Sequence, residues 1–137
     1  MFESIVVGAA DSDSAAEAVR RAMEVAAASG GTLHIVTAFK AHRPAPTEMP
    51  EEFRYSFGPT DPPDVLLNKL KMEADRASIR VATHSVLADP VEAITRVAAQ
   101  EHADLIVVGS KNSHGTRHLS SVPLSVVDRA TCAVLVV

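Results

Sequence analysis

Aromatic residues, cysteine and positive charge are all scarce in this chain of 137 residues. Aromatics make up 4% of it and tryptophan is absent, which disfavours a surface that stacks on nucleobases. The net charge is −4, from 13 Lys and Arg against 17 Asp and Glu, so no overall basic field attracts nucleic acid or an anionic membrane. We therefore predict neither nucleic acid nor a membrane as a partner.

Cysteine and long apolar runs are also scarce, and their scarcity excludes several kinds of site and of protein. The single cysteine, Cys132, excludes an intramolecular disulfide and a four-cysteine zinc site, and it is typical of a reducing compartment. Its apolar surroundings predict a buried, unreactive thiol. No apolar stretch approaches the roughly 18 residues that span a bilayer, and the N-terminus, with Glu3 and no basic region, does not resemble a secretory signal. The sequence thus predicts one cytoplasmic domain over residues 1–137.

Short apolar runs alternate with helical segments along the whole chain. The predicted strands are residues 4–8, 32–39, 79–86, 105–109 and 133–137. The helices between them cover residues from about 15 to 29, 65 to 78, 90 to 102 and 123 to 129. Apolar strands alternating with helices indicate a parallel sheet that is covered on both faces. We therefore predict an α/β fold, a doubly wound three-layer sandwich with a five-stranded parallel sheet and helices on both faces.

Two segments stand out from this alternation. Residues 40–63 contain six of the eight prolines, which predicts a long irregular excursion, and its role as a lid or a dimer contact stays open. Residues 109–121 form a polar loop at the carboxyl end of a predicted strand, where open α/β sheets bind ligands. This loop combines basic and hydroxyl side chains that suit an anion: Lys111, His114, Arg117 and His118 with Ser110, Ser113, Ser120 and Ser121. A solvated connecting loop explains the same residues equally well.

Motifs that would indicate catalysis or a metal are missing. Only Gly8 is present of a dinucleotide-binding G-x-G-x-x-G, and neither a GK[ST] triplet nor a G-x-S-x-G elbow occurs. Asp11 could reach a ribose or a metal, but capping of the following helix is the simpler interpretation. His34 and His84 are interpreted as satisfied sheet residues. We predict no catalytic residue and no bound metal, while a hydrolase that activates water with His114 or His118 stays as a minor alternative.

The residues above resemble the universal stress protein family over essentially the full chain. The resemblance rests on SIVVGAADSDSAAEAV, on LADPVEAITRVAAQEHADLIVVGS and on SSVPLSVVDRATCAVLVV. It implies a five-stranded parallel sheet and a homodimer that forms through the last strand. It also implies one of two kinds of protein, because some members of the family bind ATP or a related nucleotide and others do not.

The family's nucleotide-binding pattern is only partly present. Binders carry an Asp two residues after the Gly that ends the first strand, and this position is Ala10 here, followed by Asp11. Their phosphate loop reads G-x2-G-x9-G followed by Ser or Thr. Gly109 matches the first glycine, Asn112 stands at the second and Ser120 at the third. Ser121 matches the hydroxyl residue and Gly115 is an additional glycine, while the loop is two residues shorter than the pattern.

The resemblance implies a regulatory or stress-response domain, not an enzyme, and these departures predict that its degenerate ATP loop binds ATP weakly or not at all. The alternative is a sensor of ATP, AMP or cAMP with a variant pocket. In either case the resemblance places any adenine nucleotide against the following residues: Ala10, Asp11, Ala38, Val108, Gly109, Ser110, Asn112, Gly115, Ser120, Ser121 and Val122.

Overall fold

The computed structural model describes residues 1–10, 12–39, 63–110 and 121–137. In these ranges five strands form one parallel sheet: β1 (Ser4–Gly8), β2 (Thr32–Phe39), β3 (Arg80–Leu87), β4 (Leu105–Val108) and β5 (Ala133–Val136). Four helices connect or flank them: α1 (Asp13–Ser29), α2 (Pro63–Arg76), α3 (Pro90–Gln100) and α4 (Ser121–Arg129). The α/β fold with a five-stranded parallel sheet is confirmed. The proline-rich excursion, except for Pro63, lies outside the described residues.

The strand order is β3-β2-β1-β4-β5, so β1 is the central strand and pairs on both sides. Val7 lies opposite Ile35 of β2 and opposite Val107 of β4. All three side chains are fully or almost fully buried, as expected for a parallel strand that is covered on both faces. The edge strand β3 differs, because exposed and half-buried residues alternate along it.

Two separate cores hold the three layers together. On one face, Ile5 and Ile35 pack with the apolar sides of α1 and α2, including Ala22 and Leu67. On the other face, Val6 and Val36 pack with α3 and α4, including Val97 and Val126. Because neighbouring residues of a strand point to opposite faces, each buried strand contributes to both cores. The prediction of helices on both faces is thus confirmed.

The helix ends are set by particular side chains. Ser12 has an extended backbone and its hydroxyl accepts a hydrogen bond from the Ala15 N–H at 3.2 Å, so it is the N-cap of α1. Ser14 lies inside the first turn of the helix. Asp89 caps α3, and its side chain accepts a hydrogen bond from the Glu92 N–H at 3.0 Å. Gly30 ends α1 in the left-handed conformation, with φ of 72°.

No helix in the described ranges is long and apolar enough to cross a bilayer.

Candidate functional site

A cleft of about 340 Å³ opens at the carboxyl ends of the central strands. It lies between β1 and β4. After β1 the chain continues to β2 on one side of the sheet, and after β4 it continues to β5 on the other side. Such a switch point is where open α/β sheets bind their ligands. The volume falls within the range of roughly 300–1,000 Å³ that is typical of small-molecule sites. Among the described residues, this cleft is therefore our candidate site.

The floor of the cleft consists of the segments that end three strands. Gly8, Ala9 and Ala10 come from the end of β1, Val36 and Ala38 from β2, and Val108 and Gly109 from β4. Four of these, namely Ala10, Ala38, Val108 and Gly109, are residues that the family resemblance places at the nucleotide. The structure brings these four together around one cavity, although they are up to 99 positions apart in the sequence (109 − 10).

Three helices supply the walls of the cleft. Ser12, Ser14 and Ala15 come from the beginning of α1, and Pro90, Ala93 and Ile94 come from the first turns of α3. Val122, another predicted site residue, comes from the beginning of α4. The amino ends of all three helices thus meet at the cleft, where their partial positive charges favour a ligand that carries negative charge.

Gly109 allows the close contact between the end of β4 and α1. A Cβ at this position would overlap the Ser14 hydroxyl and would stand 2.7 Å from the Ser14 carbonyl oxygen. The obstacle is backbone, which cannot move without shifting the first turn of α1. At Gly8 an added Cβ would instead meet the end of the flexible Ile94 side chain at 2.8 Å. The glycine at 109 is therefore required by packing inside the cleft.

Ser110 has a different role from the residues around it. Its N–H donates to the Val137 carbonyl at 2.8 Å, and the Val137 N–H donates to the Val108 carbonyl at 2.9 Å. These bonds extend the pairing of β4 and β5 to the last residue of the chain. Ser110 was predicted at the nucleotide, but it is not among the described residues that line the cleft.

Several predicted site residues fall outside the described ranges and stay predictions. They are Asp11, Asn112, Gly115 and Ser120, together with the basic residues of the same loop, Lys111, His114, Arg117 and His118. Ser121 is the first residue of α4, and the placement of its side chain is likewise not described. Any contribution of these residues to a ligand site therefore rests on the sequence alone.

Sequence reasoning missed the residues that α3 and the beginning of α1 contribute to the cleft. Pro90, Ala93 and Ile94 belong to the helix predicted from about residue 90 to 102, but no pattern in the sequence indicated that it borders the cleft. A helix that follows a parallel strand always begins at the carboxyl edge of the sheet. That topological fact would have placed Pro90 near the cleft and Ser12 beside it.

The described lining is small, mostly apolar and free of ionisable side chains. It consists of Gly, Ala, Val, Ile and Pro with the two hydroxyls of Ser12 and Ser14. Hydrogen bonds to a ligand would therefore come mainly from backbone groups, and apolar contact would come from both sides. Such a surface can hold a flat ring system. It offers, within the described residues, no side chain with the acid–base chemistry of a proton-transfer catalyst.

Cys132 lies away from the cleft and is half-buried against the core of α3 and α4. Burial raises the pKa of its thiol, and the nearby Asp104 carboxylate raises it further. A raised pKa lowers the fraction of thiolate, which is the reactive form. The expectation of an unreactive thiol therefore agrees with its surroundings, although the side chain is less buried than predicted.

Comparison with known proteins gives one consistent result. Residues 1–137 match the Universal stress protein family. Universal stress protein Rv1636 of Mycobacterium tuberculosis H37Rv is 31% identical over 140 residues, which cover 99% of this chain and 96% of that protein. A crystal structure described as a universal stress protein in complex with cAMP shows 32% identity and a TM-score of 0.76, covering 99% of this chain and 97% of the other.

A more distant structure agrees in fold. It is a universal stress protein family protein from Arabidopsis thaliana with AMP bound, which is 18% identical with a TM-score of 0.74 and covers 98% of this chain and 90% of the other. At this identity the likeness concerns the fold alone.

Proposed function

The chain belongs to the universal stress protein family, and from that premise we propose that it is a cytoplasmic regulatory domain whose cleft binds a small adenine nucleotide. We further propose that it prefers cAMP or AMP and binds ATP weakly or not at all. The observation that carries the proposal is the lining of the cleft. Small apolar residues and backbone groups at the β1/β4 switch point suit an adenine ring between two walls.

The preference against ATP follows from the sequence of the loop after β4. ATP needs donors for three phosphates, and the family's binders supply them with a glycine-rich loop. Here Asn112 and Ser120 replace two of the glycines, and seven residues separate them where the pattern has nine. Side chains at glycine positions obstruct the close approach of backbone to phosphate. A single or cyclic phosphate needs fewer hydrogen-bond donors from this loop. A relative at 32% identity is described in complex with cAMP.

The missing carboxylate at Ala10 should weaken binding of every adenine nucleotide. In the family's binders the residue at this position contacts the adenosine, and a hydrogen bond to an ionised group contributes about 1.5–3 kcal/mol. Ala10 lines the cleft and is exposed, which supports the proposal that a carboxylate is lacking at a position facing the nucleotide. We therefore expect modest affinity even for the preferred ligand.

Calorimetric titration of cAMP, AMP and ATP into nucleotide-stripped protein tests this proposal. We expect measurable binding of cAMP or AMP and an affinity for ATP that is at least about tenfold lower, a difference of about 1.4 kcal/mol. ATP binding as tight as that of cAMP would contradict the proposed preference. Phosphate release from ATP that the variant His114→Ala abolishes would instead support the hydrolase alternative.

We also propose that the protein forms a homodimer through β5, as the family resemblance implies. β5 is an edge strand, and its residues Leu135 and Val136 are 39% and 37% exposed. Leu124 and Val127 of the adjacent helix α4 are 55% and 53% exposed. Exposed apolar side chains beside an unpaired strand favour association with another copy.

The variant Leu135→Lys is expected to shift the protein from dimer to monomer. A charge at the centre of the paired edges would be buried without a partner in the dimer but solvated in the monomer. Light scattering coupled to size exclusion should show twice the 14.5 kDa monomer mass for the wild type and a monomer for the variant. Met72→Lys is the matched control, because Met72 is an exposed apolar residue of α2 on a different surface. A wild-type monomer would refute the dimer.

A further inference from the structure

Two histidines of neighbouring strands contact each other outside the cleft. His34 of β2 and His84 of β3 lie on the sheet face that α3 and α4 cover, two register positions apart. The Nδ1 atom of His34 is 3.0 Å from the Nε2 atom of His84, and the ring centroids are 5.2 Å apart. His34 is 6% exposed, while His84 is half-buried beside the edge of the sheet.

A carboxylate completes this pair. Glu101 directly follows α3, and one of its carboxylate oxygens lies with one ring nitrogen of each histidine in a group whose atoms are all within 4.8 Å of one another. The backbone of Glu101 is anchored, because its carbonyl accepts a hydrogen bond from the Ser4 hydroxyl at 3.0 Å. Its side chain is exposed, so it can adjust its position without disturbing the core.

We propose that His34, His84 and Glu101 form a site for Zn²⁺, which binds through Nδ1 of His34, Nε2 of His84 and a carboxylate oxygen of Glu101. Two imidazoles and one carboxylate with water in the fourth position are a known donor set for tetrahedral zinc. Bonds of about 2.0–2.2 Å place the donor atoms of such a site about 3.3 Å apart. The two nitrogens are already near that spacing, and a shift of the exposed Glu101 side chain brings the third donor into place.

The electrostatic surroundings favour a cation at this point. Burial lowers the pKa of His34, an effect that the Glu101 carboxylate opposes and His84 reinforces. The carboxylate supplies one negative charge, and the carboxyl end of α3 adds the partial negative charge of the helix dipole. A divalent cation would thus meet two imidazole nitrogens and a locally negative field.

The simpler interpretation of the histidines accounts for only part of this arrangement. As satisfied sheet residues, His34 and His84 explain the hydrogen bond between them, but not why the carboxylate of Glu101 lies beside both rings. The zinc site is also separate from the cleft. Pro90 and Ala93 line the cleft at the beginning of α3, whereas Glu101 follows its last residue. The zinc proposal therefore does not depend on the proposed nucleotide function.

Titration of Zn²⁺ and Co²⁺ into the metal-free full chain tests the site. We expect one metal ion per chain, a rise in Tm with Zn²⁺ that EDTA reverses, and the visible absorption bands of tetrahedral Co²⁺. The variants Glu101→Gln and His84→Gln should each weaken Zn²⁺ binding by about tenfold or more, because the loss of even an outer-shell partner costs about 10- to 100-fold. Glu101 is exposed, so circular dichroism should show that E101Q folds without metal.

Two control variants separate this site from other histidines. His102→Asn changes an exposed neighbour of Glu101 that is not part of the group, and its left-handed backbone, with φ of 51°, tolerates asparagine. The double variant His114→Ala/His118→Ala removes the two loop histidines. Both controls should bind Zn²⁺ like the wild type. The proposal is overturned if the wild type binds neither metal, if E101Q and H84Q bind unchanged, or if the double variant abolishes binding.

Discussion

Replacing Gly109 with alanine is expected to destabilise the protein by about 1–3 kcal/mol and to abolish measurable nucleotide binding. The added Cβ would stand 2.7 Å from the Ser14 carbonyl oxygen and would overlap the Ser14 hydroxyl. Because this obstacle belongs to the first turn of α1, the helix must move away from the end of β4. The movement would reshape the wall that Ser12, Ser14 and Ala15 form. Urea unfolding and calorimetric titration of cAMP measure the two effects.

Gly8→Ala is the matched control for this variant. It adds the same methyl group to the same cleft, but the nearest atom is Cδ1 of Ile94 at 2.8 Å, which a change of rotamer can relieve. Its cost in unfolding free energy should therefore be clearly smaller than that of Gly109→Ala. Equal stabilities of the two variants, or a Gly109→Ala protein that binds like the wild type, would show that α1 and β4 do not depend on this close contact.

Replacing Ala10 with aspartate is expected to tighten the binding of adenine nucleotides by about 10- to 100-fold. The change restores the carboxylate of the family's binders at a position that lines the cleft. One hydrogen bond to an ionised group contributes about 1.5–3 kcal/mol, and about 1.4 kcal/mol corresponds to a factor of ten in affinity. Titration of cAMP and ATP into the Ala10→Asp protein provides the measurement.

Ala10→Asn separates the charge of the new side chain from its shape. The amide is similar in size but forms weaker, uncharged hydrogen bonds, so we expect a gain smaller than that of aspartate. Unchanged or weaker binding by Ala10→Asp would mean that the ligand does not place its ribose at this end of β1. The proposed orientation of the nucleotide would then be wrong, even if the cleft itself is the site.

The fold was largely predictable because the chain marks its elements with local signals. Apolar runs that end in glycine mark strands, the Asp-Pro pair marks the start of α3, and Gly30 marks the end of α1. Each of these signals depends only on residues a few positions away. The ends of strands and helices were less predictable where contacts between distant parts of the chain determine them. β4 ends at Val108, one residue before the predicted end, since Gly109 turns against α1. α4 begins at Ser121, two residues before the predicted start, with Pro123 buried in its first turn.

The site was predictable only in the part that follows the strands. Ala10, Ala38, Val108 and Gly109, which the family resemblance places at the nucleotide, border the cleft because each lies at or beside the end of a strand. Pro90, Ala93 and Ile94 reach the cleft through the way α3 packs across the sheet, and no sequence pattern records that packing. The same reason applies to Glu101, which lies 67 positions after His34 (101 − 34) and meets it only because α3 crosses β2.

The hydrogen bonds between Ser110, Val137 and Val108 hold two amide protons close to both the cleft and the edge of the sheet. The Ser110 and Val137 N–H groups lie between the wall of the cleft and the edge strand β5. An amide proton exchanges with solvent only when its hydrogen bond opens. A ligand that stabilises Val108 and Gly109 would slow the exchange of these two protons. A second copy of the chain that pairs with β5 would slow it as well. Deuterium uptake at the Val137 amide should therefore slow both when a ligand binds and when a dimer forms.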